Sequence, residues 1–374
     1  MKRVNIGVVG FGGIAKVHAL AAYAMQVFYD LPFKPEFLKV YRREKQGDNP
    51  IFKDVVTSLN ELLGDPEIDL IDICTPNHLH YDQVKKALEY NKAVYCEKPL
   101  ALNFEEAKSL VDLVEEKKLI NQVAFMYRFM PAVVRARDYL LSGELGEIIH
   151  FKFGLFHKGY LNDRPLSWRE QMKYSGGGAL MDLGIHMADL VRFMLGDIHS
   201  VRAELHTQFK ERFISGGAGA KGEVDVDQYA KVDVKLAKAG MGTIECSRIS
   251  SDLRERTVIE IYGTKGSIKI SSEEPRYPVI HKHQENVSYT GDILGQSPFY
   301  EFIKKIYPPE KTSLGSAVDM HLASLYNLLF NFTQGKIVYP ETPTFNEACM
   351  AQKVIELALI SQRENNRWVT WNEF

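Results

Sequence analysis

A glycine-rich turn that directly follows an apolar segment at the start of the chain constrains the fold more than any other feature. The apolar segment is Val4–Val9, and a segment with helical spacing, Ile14–Val27, comes after the turn. This is the pattern G-x-G-x-x-G/A between a strand and a helix. Its glycines let the backbone approach a pyrophosphate, and the start of the helix attracts phosphate. The sequence therefore predicts a dinucleotide site. The residues expected to contact the dinucleotide are Gly10, Phe11, Gly12, Gly13 and Ile14, with Ala15 as the small residue that ends the motif.

The first third of the chain alternates short apolar segments with segments of helical spacing. Strands are predicted at Val4–Val9, Phe37–Tyr41, Leu70–Cys74, Ala93–Cys96 and Val123–Phe125. Helices are predicted between them, at Ile14–Val27, Ser58–Leu63, His80–Tyr90 and Phe104–Lys117. Such alternation is typical of β-α-β units. It predicts an N-terminal α/β domain, a Rossmann fold with a doubly wound parallel sheet, over residues 1–124.

The pattern changes near residue 125. Predicted strands now follow one another through turns, at Ile148–Phe156, Val201–His206, Tyr229–Leu236, Met241–Ile249, Val258–Tyr262 and Ser267–Ile270. Tyr229–Leu236 alternates apolar and charged residues, the pattern of a strand with one buried face. Helices are predicted at Ser316–Gln334 and Thr344–Glu364. Residues 125–374 are therefore expected to form an α+β domain for substrate binding and oligomerisation. We expect a large, mostly antiparallel, open-faced sheet, with the C-terminal helices packing back towards the first domain.

Composition and charge exclude several classes of partner. The chain has 374 residues, enough for two domains, and a formal net charge of -2. It therefore has no global field that would attract nucleic acid or an anionic membrane surface. We find neither an apolar segment of membrane-spanning length nor a signal-peptide pattern, and the four cysteines form no C-x-x-C pair. We expect a cytoplasmic protein that acts on a small molecule, without a metal site.

The residues after the second predicted strand bear on the choice of cofactor. Enzymes that use NAD place an Asp or Glu there, where it binds the ribose 2′-hydroxyl. This chain has Arg42 and Arg43 instead, with no carboxylate before Glu44. Asp30 has the usual spacing but precedes Leu31-Pro32, in the exit from the helix. Because guanidinium groups suit a 2′-phosphate, the sequence favours NADP and leaves NAD open.

Two further motifs establish a resemblance to a known family. The first consists of Thr75-Pro76-Asn77, inside Cys74–His80, and Glu97-Lys98-Pro99-Leu100; the second is Gly176–His186, which contains D-x-G-x-H. In this order after the glycine turn, they closely resemble the glucose–fructose oxidoreductase/inositol dehydrogenase (Gfo/Idh/MocA) family over nearly the whole chain. The resemblance implies a Rossmann domain followed by a domain with a large, mostly antiparallel sheet. It also implies an NAD(P)-dependent oxidoreductase that acts on CH-OH groups of sugars or cyclic polyols.

The resemblance also implies roles for individual residues. The residues expected to face the substrate are Lys98, Tyr127, Asp182 and His186, and we add the nearby histidine of the second domain, His157. Those expected to line the cofactor are Thr75, Pro76, Asn77, His80, Glu97, Lys98, Arg128, Trp168 and Arg169. The sequence departs from the family pattern at Met126, where asparagine is common.

Lys98, Asp182 and His186 are the expected catalytic residues. Oxidising a secondary alcohol removes a hydride from carbon and a proton from oxygen, and an imidazole is well matched to take the proton. Asp182 and His186 are four residues apart on a predicted helix, which places them side by side. Lys98 would stabilise the developing alkoxide. A metal site formed by Asp182 and His186 with His157 lacks a convincing further ligand, so we do not favour it.

Two alternatives to a polyol dehydrogenase remain open from the sequence. One is a redox-neutral enzyme or a reductase that keeps its cofactor tightly bound. The other is a sensor that binds NAD(P) without catalysis, against which the intact Lys98, Asp182 and His186 argue. Members of the family resembled commonly associate through the sheet of the second domain. We therefore expect a homodimer or homotetramer formed through that sheet.

Overall fold

The computed structural model describes residues 2–44, 51–217, 219–251, 256–285, 287–289 and 297–373. The chain forms two compact units, and both are discontinuous in sequence. Unit 1 consists of Met1–Phe129 and Glu301–Cys349, and unit 2 of Met130–Tyr300 and Met350–Phe374. Among the described residues, none of the helices combines the length and apolar character needed to cross a bilayer. The four cysteines are buried free thiols.

The described strands and helices are numbered in chain order. The strands are β1 Lys2–Val9, β2 Phe33–Tyr41, β3 Asp54–Val56, β4 Leu70–Ile73, β5 Ala93–Cys96, β6 Asn121–Val123, β7 Ile148–Phe156, β8 Ile198–His206, β9 Glu211–Phe213, β10 Lys221–Glu223, β11 Tyr229–Leu236, β12 Met241–Ser247, β13 Arg256–Gly263, β14 Gly266–Ser271, β15 Val279–Lys282, β16 Val287–Tyr289 and β17 Val369–Thr370. The α-helices are α1 Gly13–Phe28, α2 Leu59–Gly64, α3 His80–Glu89, α4 Phe104–Lys117, α5 Pro131–Leu141, α6 Met172–Ser175, α7 Ile185–Leu195, α8 Pro298–Ile306, α9 Ser316–Gln334 and α10 Phe345–Arg363.

Unit 1 contains a parallel six-stranded sheet in the order β3-β2-β1-β4-β5-β6. The order of the strands reverses between β1 and β4. In open parallel sheets, ligands bind outside the carboxyl ends of the strands at such a reversal. The Rossmann fold predicted for the N-terminal part of the chain is confirmed. The topology also predicts that the loops after β1, β4 and β5 form the ligand site.

The core of unit 1 includes a helix from near the other end of the chain. The alanine-rich buried face of α1 packs in one apolar cluster with four leucines of α9, which are Leu322, Leu325, Leu328 and Leu329. Tyr95 of β5 and Ser324 of α9 are linked by a hydrogen bond of 2.8 Å between their hydroxyl groups. The sheet of unit 1 and α1 therefore pack on α9 as well as on the helices that alternate with the strands.

Unit 2 is built around a nine-stranded mixed sheet. The order is β16-β15-β14-β13-β7-β12-β11-β8-β17, and only the β7–β12 pair is parallel among these described strands. Strand β11 buries alternate residues, Ala230, Val232, Val234 and Leu236, as its sequence predicts. The turn at Thr264-Lys265 joins the antiparallel strands β13 and β14. The predicted large, mostly antiparallel sheet is therefore confirmed.

Several elements differ from the sequence prediction. The strand expected at Val123–Phe125 is β6, which ends at Val123. The strand β3 was not predicted because it has only three residues, and the helix α5, which begins at Pro131, was not predicted either. The segment containing Asp182 is a π-helix, Leu180–Gly184, that leads directly into α7. Helices of this type are frequent at functional sites.

Candidate active site

The glycine turn leaves space in front of α1. Gly10 has a φ of +83°, and a Cβ there would lie 2.8 Å from Cγ2 of Thr75, so glycine is required. By contrast, no described heavy atom lies within 4 Å of the Cβ position at Gly12 or Gly13. Gly12 provides no side-chain cap for α1, and the first turn of the helix has no acidic residue. The N–H groups at this helix start can therefore bind an anion, and the backbone is accessible to a pyrophosphate.

The end of β2 lies beside this turn. The backbone N–H of Gly10 donates a hydrogen bond of 3.1 Å to the carbonyl oxygen of Tyr41. The guanidinium carbon of Arg42 lies 5.9 Å from the centre of the Phe11 ring, within cation–π range, while Arg43 is exposed. Of the two predicted phosphate-binding arginines, the structure thus places Arg42 against the glycine turn.

His80 links the loops that follow β4 and β5. The hydroxyl of Thr75 donates to Gln83 Oε1 at 2.6 Å, and Asn77 begins a short 3-10 helix. His80 is fully buried, with Nδ1 2.6 Å from the carbonyl oxygen of Pro99 and Nε2 2.8 Å from that of Thr75. Burial, the larger effect, lowers its pKa, although both carbonyl groups favour the protonated ring. Because both ring nitrogens are used in this way, His80 supports the cofactor loops and is not placed to bind a ligand directly.

Glu97 and Lys98 follow β5 in a turn with a cis peptide bond between Lys98 and Pro99. Glu97 is buried, and its Oε2 accepts a hydrogen bond of 3.2 Å from the backbone N–H of Lys98. The Lys98 side chain is partly exposed. The Glu-Lys-Pro turn thus carries a partly exposed lysine directly after a carboxylate that is enclosed in the protein.

A buried charge network lies beneath this turn. His18 of α1 is fully buried; its Nδ1 lies 3.0 Å from Asp72 Oδ2, and its Nε2 lies 3.2 Å from Glu97 Oε1. Burial opposes the charged ring, but the charge and hydrogen bonds of Asp72, together with Cys74, raise the pKa of His18 well above 6.5. The ring of His321 from α9 lies 5.0 Å from that of His18, centre to centre.

The same network fixes the protonation of its other members. Burial favours the neutral acid at Glu97, but the hydrogen bond and charge of His18, with smaller effects of His321 and Lys98, lower the pKa of Glu97 to about 2. Burial and the charge of His18 lower the pKa of His321 to about 3. At neutral pH the network therefore consists of a charged His18, an ionised Glu97 and a neutral His321.

Tyr127 and Arg128 lie in a short 3-10 helix, and both are buried. The guanidinium group of Arg128 forms an ion pair of 2.9 Å with Glu347 and donates to the carbonyl oxygen of Glu341. These contacts tie residues near the end of the first segment of unit 1 to its second segment. They give Arg128 a structural role, whereas its predicted contact with the cofactor stays a prediction.

In unit 2, the motif Gly176–His186 forms a turn followed by the π-helix and the start of α7. A Cβ at Gly178 would lie 1.7 Å from the carbonyl oxygen of Asp227, so only glycine fits. The carboxylate of Asp227 accepts hydrogen bonds from the N–H groups of Gly178 at 2.9 Å and Leu180 at 2.8 Å. Asp227 therefore caps the helical segment that carries Asp182 and His186.

Asp182 is held by a buried arginine. Nη2 and Nε of Arg248 lie 3.0 and 3.2 Å from Oδ2 of Asp182, and Nη1 donates to the carbonyl oxygen of Arg169 at 2.9 Å. The Arg248 side chain is 2% exposed and that of Asp182 is 22% exposed. The pair thus fixes a carboxylate whose surface is still partly accessible, while His186, in the first turn of α7, is buried.

The remaining predicted residues of unit 2 surround this pair. Nδ1 of His157 accepts from the N–H of Gly159, and its ring lies 6.0 Å from that of Tyr160, which also stacks with Arg248. Arg169 is exposed and lies over the ring of Trp168. Residues predicted in separate segments, His157, Arg169 and Asp182, are therefore connected through Arg248 and Tyr160.

The sequence interpretation missed the residues that hold the motifs in place. In unit 1 these are His18, Asp72 and His321, and in unit 2 they are Asp227 and Arg248. For two of these residues, the sequence contains a pattern that could have identified them. Asp72 interrupts the apolar strand Leu70–Ile73, and the alternation along β12 places Arg248 on the same side as the buried Ile244 and Cys246. A charge in such a position predicts a buried partner.

Comparison with known proteins covers both units. Residues 4–125 match the family model described as oxidoreductase family, NAD-binding Rossmann fold, and residues 133–269 match the GFO/IDH/MocA C-terminal domain. Levoglucosan dehydrogenase from Pseudarthrobacter phenanthrenivorans is 34% identical over 73% of this chain and 75% of that protein. The scyllo-inositol 2-dehydrogenase (NAD(+)) of Bacillus subtilis is 32% identical over 80% of this chain and 81% of that protein.

The solved structures agree with this result. The structure of levoglucosan dehydrogenase in complex with NADH and levoglucosan matches with a TM-score of 0.87 at 28% identity and covers 99% of both chains. The resemblance inferred from the motifs is thereby confirmed. The chain belongs to the GFO/IDH/MocA family and is an NAD-binding oxidoreductase.

Proposed function

We propose that this protein is a dehydrogenase that oxidises a secondary hydroxyl group of a sugar or cyclic polyol. The observation that carries the proposal is the arrangement of unit 1, in which the glycine turn, the Thr75 turn and the Glu97–Lys98 turn follow β1, β4 and β5 at the reversal of strand order. Relatives similar over most of their length are named for levoglucosan and scyllo-inositol. These names support the class of substrate.

In the proposed reaction, the alcohol carbon loses a hydride and the hydroxyl oxygen loses a proton. When bound, the nicotinamide supplies the acceptor for the hydride. His186 takes the proton as general base, and the Lys98 ammonium stabilises the negative charge that develops on the oxygen. Asp182, oriented by Arg248, accepts a hydrogen bond from a substrate hydroxyl. Polyols offer several such donors, which suits a fixed carboxylate.

We further propose that NADP is the preferred cofactor and that Arg42 provides the preference. Arg42 is positioned over Phe11 at the glycine turn, and two arginines follow β2 before the first carboxylate, that of Glu44. Dissociation constants for NADP and NAD with the wild type and Arg42→Ala test this directly. The variant should lose affinity for NADP and keep its affinity for NAD. Tighter binding of NAD than of NADP by the wild type would refute the preference.

The activity is tested with levoglucosan and with scyllo-inositol, each with NAD and NADP, by the absorbance of the reduced cofactor. A dehydrogenase accumulates reduced cofactor in proportion to product, whereas a redox-neutral enzyme or a sensor accumulates none. The same assay run from the ketone with reduced cofactor detects a reductase. Lack of cofactor reduction with both compounds and with a wider set of aldoses and inositols would reject the proposal.

The roles of His186 and Lys98 are tested by His186→Ala and Lys98→Met. Each variant should lower kcat at least about a hundredfold. His186→Ala should also leave the dissociation constant of the cofactor nearly unchanged, because a general base acts in the chemical step and not in cofactor binding. His199→Ala and Lys85→Met are matched controls, since both residues are exposed and lie on β8 and α3. Normal turnover by His186→Ala would remove His186 from the mechanism.

A further inference from the structure

A buried cluster in unit 1 takes no part in the chemistry proposed above. It consists of His18 of α1, Asp72 of β4, Cys74 and Glu97 after β4 and β5, and His321 of α9. All five residues are buried. Asp72 and His18 sit inside an otherwise apolar core, so their presence requires a reason beyond packing. Glu97, which directly precedes Lys98, connects the cluster to the proposed active site.

Two groups of three within this cluster have the ligand types and spacing of a metal site, His18 with Asp72 and Cys74, and His18 with Glu97 and His321. The hydrogen-bond geometry favours a protonated His18 over a His18 that binds a metal. Both ring nitrogens of His18 face carboxylate oxygens at 3.0 and 3.2 Å. A carboxylate only accepts hydrogen bonds, so each nitrogen carries a proton and neither has a lone pair to offer a metal. His18 is thus a charged imidazolium between two carboxylates.

A continuous series of contacts runs from this imidazolium to Lys98. Asp72 holds Nδ1 of His18, and Nε2 holds Oε1 of Glu97. The other oxygen of Glu97, Oε2, accepts from the backbone N–H of Lys98. Each contact restrains the next one, because His18 uses both ring nitrogens and Glu97 uses both carboxylate oxygens. The position of the Lys98 backbone therefore depends on a histidine in the first helix.

We propose that His18 is a positioning residue, whose charged ring fixes the Glu97 carboxylate and through it the turn that carries Lys98. The proposal rests on the proposed function only for the importance of Lys98 to turnover. Without a charged partner, a carboxylate buried as deeply as Glu97 takes up a proton or moves towards water. Protonation weakens the hydrogen bond that Glu97 accepts from the Lys98 N–H, and movement removes it, so either change loosens the turn. His18 itself contacts neither substrate nor cofactor.

Hydrogen exchange measured by mass spectrometry on the intact protein tests the structural part. His18→Gln keeps a polar side chain but removes the charge and one of the two hydrogen bonds. We expect faster exchange in the variant at the amide of Lys98 and in the loops after β4 and β5. Met25→Ala is the control, because Met25 is a buried residue of the same helix in its apolar core. The proposal would be overturned if the Lys98 amide exchanges at the same rate in His18→Gln as in Met25→Ala. It would also be overturned if exchange in His18→Gln rises equally across unit 1.

Kinetics on the same variants test the functional part. A displacement of the Lys98 turn should lower kcat of His18→Gln by on the order of tenfold to a hundredfold, with KM for the polyol changed less, while Met25→Ala stays near the wild type. An equal kcat in His18→Gln and the wild type would overturn the role in positioning. If the wild type oxidises none of the polyols, the proposed function fails. The exchange result would then still decide whether His18 holds the turn.

A second variant covers the case in which His18→Gln does not fold. Asp72→Asn preserves the volume of the side chain and leaves His18 with Glu97 as its only carboxylate partner among the contacts above. We expect the same pattern of exchange at Lys98, but smaller than for His18→Gln. Unchanged exchange at Lys98 in a folded Asp72→Asn variant, together with unchanged kcat, would count against the network.

Discussion

Both units hold a carboxylate of a sequence motif in place with a buried cation, but they use cations of different chemistry. In unit 1, His18 binds Glu97 and Asp72; in unit 2, Arg248 binds Asp182. A guanidinium stays charged at any pH at which the protein folds, whereas an imidazolium gives up its proton within reach of physiological pH. The cation that holds Asp182 therefore keeps its charge as pH rises, whereas the Lys98 turn depends on the protonation of His18.

The two units also differ in how glycine is used. In unit 1, Gly12 faces open space at the start of a helix without a side-chain cap. In unit 2, Gly178 presses against the backbone of Asp227, which caps the helical segment from within the protein. Gly12 leaves the backbone accessible, whereas Gly178 lets two segments of the chain approach each other closely. Glycine in a motif thus provides access in one unit and close packing in the other.

The largest effect is expected from breaking the buried pair of unit 2. Arg248→Met leaves Asp182 without its cation and should lower the free energy of unfolding by about 3–5 kcal/mol, as is typical when one member of a buried pair is removed. Arg202→Met is the control. Its guanidinium pairs with Asp233 at the surface and is 48% exposed, so it should cost less than about 1 kcal/mol. Urea unfolding followed by circular dichroism measures both, and equal losses would contradict the difference in burial.

The next largest effect is a pH dependence of the free energy of unfolding, which we expect from His18 and not from Arg248. The pKa of folded His18 is raised above the unfolded value of 6.5, so its contribution is fully present below that pH and is lost as pH rises through the folded pKa. The free energy of unfolding should therefore fall by up to about 1.4 kcal/mol per pH unit above pH 6.5. His18→Gln should remove this slope, as followed by urea unfolding below the range in which cysteine thiols ionise.

Two variants control this measurement. His321→Gln should keep the alkaline slope, because burial and the charge of His18 lower the pKa of His321 to about 3 and the ring is already neutral. Arg248→Met should keep it too, since Arg248 lies in the other unit. The groups that face His18 are Asp72, Cys74, Tyr95, Glu97 and His321. A slope that persists in His18→Gln would mean that one of these groups, and not His18, titrates.

The sequence locates the motifs because their residues are contiguous and follow strands of a parallel sheet. Thr75 follows β4 after one residue and Glu97 follows β5 directly, and the sheet brings their loops to one edge. The partners that hold these residues lie far away along the chain. Arg248 is separated from Asp182 by 66 residues, and His18 from Glu97 by 79. No spacing rule connects such residues, so only the fold reveals the pairs.

The π-helix shows a second limit. The four-residue spacing of Asp182 and His186 predicts neighbours on an α-helix, yet Leu180–Gly184 is wound more loosely. The partner that the structure gives to Asp182 is Arg248, from the end of β12. Local periodicity identifies the helical segment that contains Asp182. It reveals neither the wider turn of the π-helix nor the distant Arg248 that pairs with Asp182.

The smallest effect concerns the glycine that faces open space. Gly12→Ala adds a methyl group where no described atom lies within 4 Å, so the free energy of unfolding should change by less than about 1 kcal/mol. The same methyl group occupies the space through which a pyrophosphate approaches the backbone, so the dissociation constant of the cofactor should rise by at least about tenfold. Gly178→Ala should show the opposite pattern. Its methyl group would overlap the carbonyl of Asp227, so the free energy of unfolding should fall, while the dissociation constant of the cofactor should change little. Calorimetric titration and urea unfolding on both variants measure the contrast. Equal cofactor affinity in Gly12→Ala and the wild type would show that the open space before α1 is not where the pyrophosphate binds.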